Sequence, residues 1–214
     1  MTDLADRVAA LAAAIETRGA ATSASGRRLL VGIVGPPGAG KSTLAEALVG
    51  RLDGTRPGRA ALLSQDGFHY DDAVLDAAGM RPRKGAPETF DVAGLVHCLK
   101  RLAARDEATV AVPVFDRGLE IARAGARLIG RAAEIVVVEG NWLLLDEAPW
   151  NAVRPWLDLT AMLQVPEPVL RARLEARWRD LGFDPASIAA KVDGNDLPNA
   201  RRVLAASAVA DLVL

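Results

Sequence analysis

Three groups of residues in this chain have types and spacing suited to chemistry. The first is Gly35-Pro36-Pro37-Gly38-Ala39-Gly40-Lys41-Ser42, followed by Thr43 and the helix-forming Leu44-Ala45-Glu46-Ala47-Leu48. A glycine, four residues, then Gly-Lys-Ser, set between an apolar strand and a helix, makes a loop that curls its backbone N–H groups around phosphate. The new helix aims its positive end at the same point, Lys41 reaches the outer phosphates and Ser42 ligates Mg²⁺. These residues predict a nucleoside triphosphate site. Whether water or a hydroxyl attacks the phosphate is left open by the loop.

The second group is Glu139-Gly140-Asn141, directly after the apolar Val136-Val137-Val138. An acid at such a strand end can hold the Mg²⁺ shell or a water bound to it. The third is Ser64-Gln65-Asp66-Gly67-Phe68-His69-Tyr70, after the apolar Ala60-Ala61-Leu62-Leu63. Ligands of open α/β sheets bind beyond the carboxyl ends of the strands, so Gly35, Asp66 and Glu139 are expected on one crevice. Asp66 then lies near the γ-phosphate, where it can accept the proton of an attacking hydroxyl or join Ser42 and Glu139 around the metal. Gly67 keeps the backbone out of the substrate's way. His69 and Tyr70 face the substrate in this reading; for His69 a packing role is the equal alternative. His97, inside an apolar helical pattern, reads as structural.

The elements that must position these groups follow from hydrophobic periodicity. Short runs apolar on both faces at 29–34, 60–63, 135–138, 159–165 and 210–214 read as strands of a covered parallel sheet. Helical patterns lie between them at 41–53, 91–105, 167–181 and 196–207. This alternation predicts an α/β fold, a doubly wound parallel sheet of about five strands with flanking helices. The stretch 109–131 reads as a small hairpin or an irregular excursion. Met1 to Gly19 has an amphipathic helical period, and Thr22 to Arg27 reads as a linker, so residues 1–27 are expected to precede a main domain over 28–214.

With 214 residues the chain suits one domain. A net charge of −1 and a pI near 6.2 argue against a general nucleic-acid binder. Only four of the 26 basic residues are lysines, namely Lys41, Lys84, Lys100 and Lys191. A single cysteine, Cys98, cannot form an internal disulfide, and no apolar run is long enough for a membrane span. A cytoplasmic protein with no nucleic-acid or membrane partner is expected, with room for a homodimer.

Together these motifs resemble the phosphoribulokinase and uridine kinase family of P-loop kinases, to which bacterial pantothenate kinase is related. The likeness rests on GPPGAGKSTLA, SQDGFHY, KGAPETFD (84–91), PVFDR (113–117), VVVEGNWLLLD (136–146), RARLEARWRD (171–180) and the terminal ADLVL, in the family's order. DGNDLPNARRV (193–203) is similar to the branch of nucleoside/nucleotide kinase-like proteins and fructose transport system kinases. The resemblance implies a P-loop NTPase fold with a small helical lid near 168–200 and acceptor-side segments near 66–91 and 113–131. It implies ATP and Mg²⁺ as cofactors, Asp66 as catalytic base, Glu139 as magnesium ligand, and Phe115, Asp116, Arg117 and Asn141 on the acceptor side. The implied reaction is phosphoryl transfer to a small alcohol, a fructose-type sugar or a nucleoside, with pantothenate-like acids and sugar phosphates as alternatives.

Arg173 and Arg177, four apart on the helix resembling the family's lid, share one face. Arg173 is the first choice to neutralise the transferring phosphoryl, and Arg177 the second nucleotide contact. In the basic loop 81–91, Arg83 or Lys84 faces a negative group and Asp91 binds hydroxyls; alternatively this is a surface loop with a capping acid. Asn195, Asp196 and Asn199 contact the adenine side or close the lid, or Asp196 caps a helix. A switch or regulatory NTPase is the rival class. Against it, the chain has no Asn-Lys-x-Asp guanine signature, and Glu139-Gly140-Asn141 lacks the Asp-x-x-Gly of a γ-phosphate sensor.

Overall fold

The computed structural model describes residues 3–23 and 26–214. In chain order the elements are α1 (Leu4–Ser23), β1 (Leu29–Val34), α2 (Lys41–Thr55), β2 (Ala60–Ser64), α3 (Asp72–Ala77), α4 (Val92–Ala104), β3 (Thr109–Asp116), β4 (Ile121–Gly130), β5 (Ile135–Gly140), β6 (Leu159–Met162), α5 (Glu167–Asp180), α6 (Pro185–Lys191), α7 (Leu197–Ala206) and β7 (Leu212–Val213). A π-helical turn, Val192–Asp196, links α6 to α7.

The five apolar runs form one parallel sheet in the order β2-β5-β1-β6-β7. Its central strand is buried along its whole length, which explains why the run carries no polar alternation. The two faces are still distinct. Leu30 and Val34 point toward α4, Trp142 and Trp150, whereas Leu29, Val31 and Ile33 pack with α1, α2 and α5. In α1, Val8, Leu11, Ala12 and Ile15 are buried against that second face, each larger side chain contributing about 1.5–3 kcal/mol of burial. The linker expected from Thr22 starts later, because α1 runs through Ser23; residues 1, 2, 24 and 25 lie outside the described residues.

The 109–131 segment is the hairpin of the two readings. β3 and β4 pair antiparallel, with an irregularity between Val112 and Val114. Gly67 works differently from the expectation that it clears space for substrate. A Cβ there would lie 2.8 Å from the Pro113 carbonyl oxygen, so glycine is needed for β3 to approach the end of β2.

Candidate active site

Three strand ends build the site. β1 ends at Val34 and the chain enters the loop, where Gly38 and Gly40 take φ of 77° and 93°, a region open to glycine without strain. The register sets Val34 beside Gly140 and Ser64 beside Glu139, so the ends of β1, β5 and β2 converge. Each oxygen of Glu139 accepts from a hydroxyl. Ser64 donates to Oε1, and Ser42, in the first turn of α2, donates to Oε2 at 3.3 Å. Ser64 also caps the 3-10 turn Gln65–Phe68 by accepting from the Asp66 amide, which fixes where Asp66 leaves the sheet.

Lys41 is buried, and its Nζ donates to Pro36 O at 3.0 Å and to Asn141 Oδ1 at 2.5 Å. Burial lowers its pKa, opposed by the charges of Glu139 and Asp66. Burial raises the Glu139 pKa, and repulsion from Asp66 adds to it. For Asp66 the cost of burial is outweighed by the charges of Arg117 and Lys41 and the Arg117 hydrogen bond, which hold its carboxyl below the usual range. Arg117 Nη2 lies 2.5 Å from Asp66 Oδ2. The base candidate is thus paired with the hairpin turn.

These residues line a cavity of about 770 Å³ between the phosphate loop, the hairpin turn and the α5–α6 segment. His69 lines it, with its ring 4.0 Å from that of Phe90 and 5.0 Å from that of Phe115, and Nδ1 2.8 Å from Asp66 O. Since that carbonyl can only accept, Nδ1 carries the proton and Nε2 is left with a lone pair. Burial lowers the His69 pKa, favouring this neutral form. His69 therefore packs against two rings while its Nε2 keeps a lone pair for a further hydrogen bond. Lys84 lines the cavity too, held by Asp72 Oδ1 at 2.6 Å and Glu120 O at 2.7 Å.

Several expected residues turn away. Asp91 does not meet the cavity; its Oδ1 accepts from the Gly94 amide at 2.8 Å and caps α4. Arg83 pairs with Glu88 on the outside, and Tyr70 is exposed outside the lining. Asp116 is spent within the hairpin, accepting from the Gly118 and Leu119 amides and pairing with Arg123. Arg173 and Arg177 exchange ranks. Arg173 Nη1 donates to Gly38 O at 3.1 Å and to Ala39 O, bracing the phosphate loop from behind, whereas Arg177 lines the cavity with Cζ 5.4 Å from the Trp178 ring centre. Burial and the charge of Arg117 both lower the Arg177 pKa. Arg177 has no ion pair among the described residues. Asn195, Asp196 and Asn199 all line the cavity. Asn195 Nδ2 donates to Lys84 O, Asn199 Nδ2 to Asn195 Oδ1, and Asp196 Oδ2 accepts from Trp178 Nε1 at 2.7 Å. Asp196 does so from the π turn, with no capping bond to α7.

Sequence reasoning missed Ser64, Asp72 and Trp178. Ser64 was detectable from its place opposite Glu139 once the two strands are paired, and Trp178 as the lone aromatic ring of a charged helix. Asp72 carries no signal of its own.

The donor set fits magnesium nucleotide. Among the described residues no three His, Cys, Asp or Glu side chains cluster as a metal cage. One hydroxyl and one carboxylate, Ser42 and Glu139, suit a hard cation that takes its other ligands from phosphates and water. Asp66, expected beside them, is paired with Arg117 instead. No helix among the described residues is long and apolar enough to cross a membrane.

Comparison with known proteins supplies the context. The chain is 37% identical over 190 residues to "Uncharacterized protein YggC" of Escherichia coli, covering 88% of this chain and 78% of that one. It is 31% identical over 199 residues to "Putative uridine kinase C227.14" of Schizosaccharomyces pombe, covering 88% and 83%. A crystal structure of a "putative fructose transport system kinase" from Silicibacter sp. TM1040 superposes with a TM-score of 0.82 at 41% identity, covering 88% and 90%. No family model matches the chain.

Proposed function

The chain belongs to the uridine kinase and phosphoribulokinase family of P-loop kinases, and from that premise we propose that it transfers the γ-phosphoryl group of ATP to a hydroxyl of an uncharged small molecule, a fructose-type sugar or a nucleoside. The observation that carries this reading is the convergence of Asp66, Lys41, Glu139 and Arg177 on one cavity. Asp66 takes the proton of the acceptor hydroxyl as its oxygen bonds to the γ-phosphorus. The bond from that phosphorus to the β-bridging oxygen breaks, and its electron pair leaves with ADP. Lys41 and Arg177 offset the charge spread over the phosphoryl oxygens. Ser42 and Glu139 would hold Mg²⁺, which would supply further neutralisation of phosphate charge. The α5–α6 segment, carrying Arg177 and Trp178, serves as the lid over this reaction.

The charge balance of the acceptor side favours a neutral acceptor. Lys84 and Arg81 are both engaged by Asp72, and Arg117 by Asp66. Little positive charge is left over for an acceptor phosphate or carboxylate. His69 Nε2 and Asn195 offer hydrogen bonds, and Phe115 and Phe90 an apolar face, which suits a sugar or nucleoside better.

The test is an ATP-consumption screen of the full chain with Mg²⁺ against hexoses, nucleosides, pantothenate-like acids and sugar phosphates, beside a water control. A neutral alcohol is expected to give turnover well above water, and Asp66→Asn to lower kcat about 10²- to 10⁴-fold. Turnover confined to anionic acceptors, or a wild-type rate in Asp66→Asn, contradicts the proposal.

A further inference from the structure

Arg117 stands where the mechanism has no place for it. It opens the turn 117–120 between β3 and β4, and its guanidinium holds one oxygen of Asp66. A carboxylate so held is a poorer base, with one oxygen closed to the acceptor hydroxyl. Opening the pair would restore the basicity of Asp66 and give the acceptor hydroxyl both of its oxygens.

The surroundings say where Arg117 goes. Lys41, Arg177 and Arg117 line the same part of the cavity, close enough for each of the first two to feel the charge of Arg117. Asp66 is a counter-charge common to all three, joined by Glu139 at Lys41 and by Asp196 at Arg177. A bound triphosphate places a stronger anion between these cations. The pair it competes with is weak, because the Arg117 side chain is 52% exposed and Asp66 opens to the cavity. Guanidinium–phosphate bonds are charge-assisted and frequently bidentate, so the exchange favours phosphate. The Phe115 ring, 5.5 Å from Arg117 Cζ, gives the guanidinium a face to slide on as it moves.

We propose that Arg117 is a catalytic residue that binds the terminal phosphate of ATP, resting on Asp66 while the cavity lacks a triphosphate and leaving it when one arrives. The base is then uncovered only when the group to be transferred is present. A diphosphate lacks that phosphate and leaves the pair closed. This inference rests on the kinase reading above, and its test is chosen to fail separately.

Titration calorimetry of the full chain with Mg²⁺ and the non-hydrolysable triphosphate AMP-PNP, and in parallel with Mg²⁺ and ADP, needs no acceptor. Arg117→Ala is expected to weaken AMP-PNP binding about tenfold, a loss equivalent to one charge-assisted contact, and to change ADP binding by less than about twofold. Arg117→Lys retains part of the AMP-PNP affinity. Asp66→Asn, which frees Arg117, tightens AMP-PNP several-fold, and the double variant Asp66→Asn, Arg117→Ala loses that gain. Preserved ADP binding shows in the same experiment that each variant is folded. Equal effects on AMP-PNP and ADP, or none on either, overturn the assignment of Arg117. A wild-type transfer rate in Asp66→Asn alongside the expected tri- versus diphosphate difference instead removes Asp66 as base and leaves Arg117 standing.

Discussion

Arg28 and Lys41 are both buried cations, 0% and 9% exposed, and they do opposite work. Arg28 spends every nitrogen on a backbone carbonyl: Nε on Ala133 at 2.9 Å, Nη1 on Leu102 at 2.8 Å and Nη2 on Gly130 at 2.9 Å. It thereby ties the last turn of α4 and the end of β4 to the segment before β5, and sits at the negative end of the α4 dipole. Lys41 spends two of its three protons on Pro36 and Asn141 and keeps one for the cavity. Burial is common to both. What separates them is whether donor capacity remains and where it points.

That contrast is broken first at Lys41. Lys41→Ala is expected to lower kcat about 10³-fold, since its ammonium meets charge that develops in the transition state, while the melting temperature holds or rises because an incompletely paired buried charge is gone. A large loss of stability would make Lys41 a second Arg28. The converse is Arg28→Ala, expected to cost about 3–5 kcal/mol by leaving buried carbonyls without donors, a fall in Tm of roughly 10 °C for a chain of this size. Steady-state kinetics on the folded fraction should match wild type; a kcat defect there would erase the distinction. The smallest effect sharpens it at the other end of the same helix. Asp91→Ala removes the cap of α4 and should cost about 1 kcal/mol in denaturant unfolding, with KM for the acceptor unchanged. A raised KM would return Asp91 to the substrate.

Legibility in the sequence divides along a similar line. The phosphate loop reads directly because its function lies in the backbone, and glycines at fixed positions prescribe that backbone. The shared location of Asp66 and Glu139 is legible because strand ends are visible as the close of apolar runs, and strand ends converge in such sheets. Arg173 and Arg177 cannot be told apart by helical spacing, which gives a shared face but no depth. One turn nearer the loop, Arg173 is absorbed by the carbonyls of Gly38 and Ala39. Asp91 and Arg83 lie away from the cavity for a related cause, since the course of the 81–91 loop is set by distant partners, and Tyr70 is bound to that loop through its amide on Thr89 O. Trp142 Nε1 donates to Gly85 O, Trp150 Nε1 to Pro87 O and Asn195 Nδ2 to Lys84 O, none of them near in sequence.

The pairing of Ser64 with Glu139 has a further consequence. Their proximity comes from the rungs of the β2–β5 ladder, and the same ladder joins β5 to β1 and the phosphate loop. Glu139 is consequently held in place by the sheet itself rather than by any surface segment. The 81–91 loop belongs to no rung of that ladder, so its course can change without moving Ser64 or Glu139. A single-residue slip of β2 would instead turn Ser64 to the opposite face of the sheet and strip Glu139 of its hydroxyl.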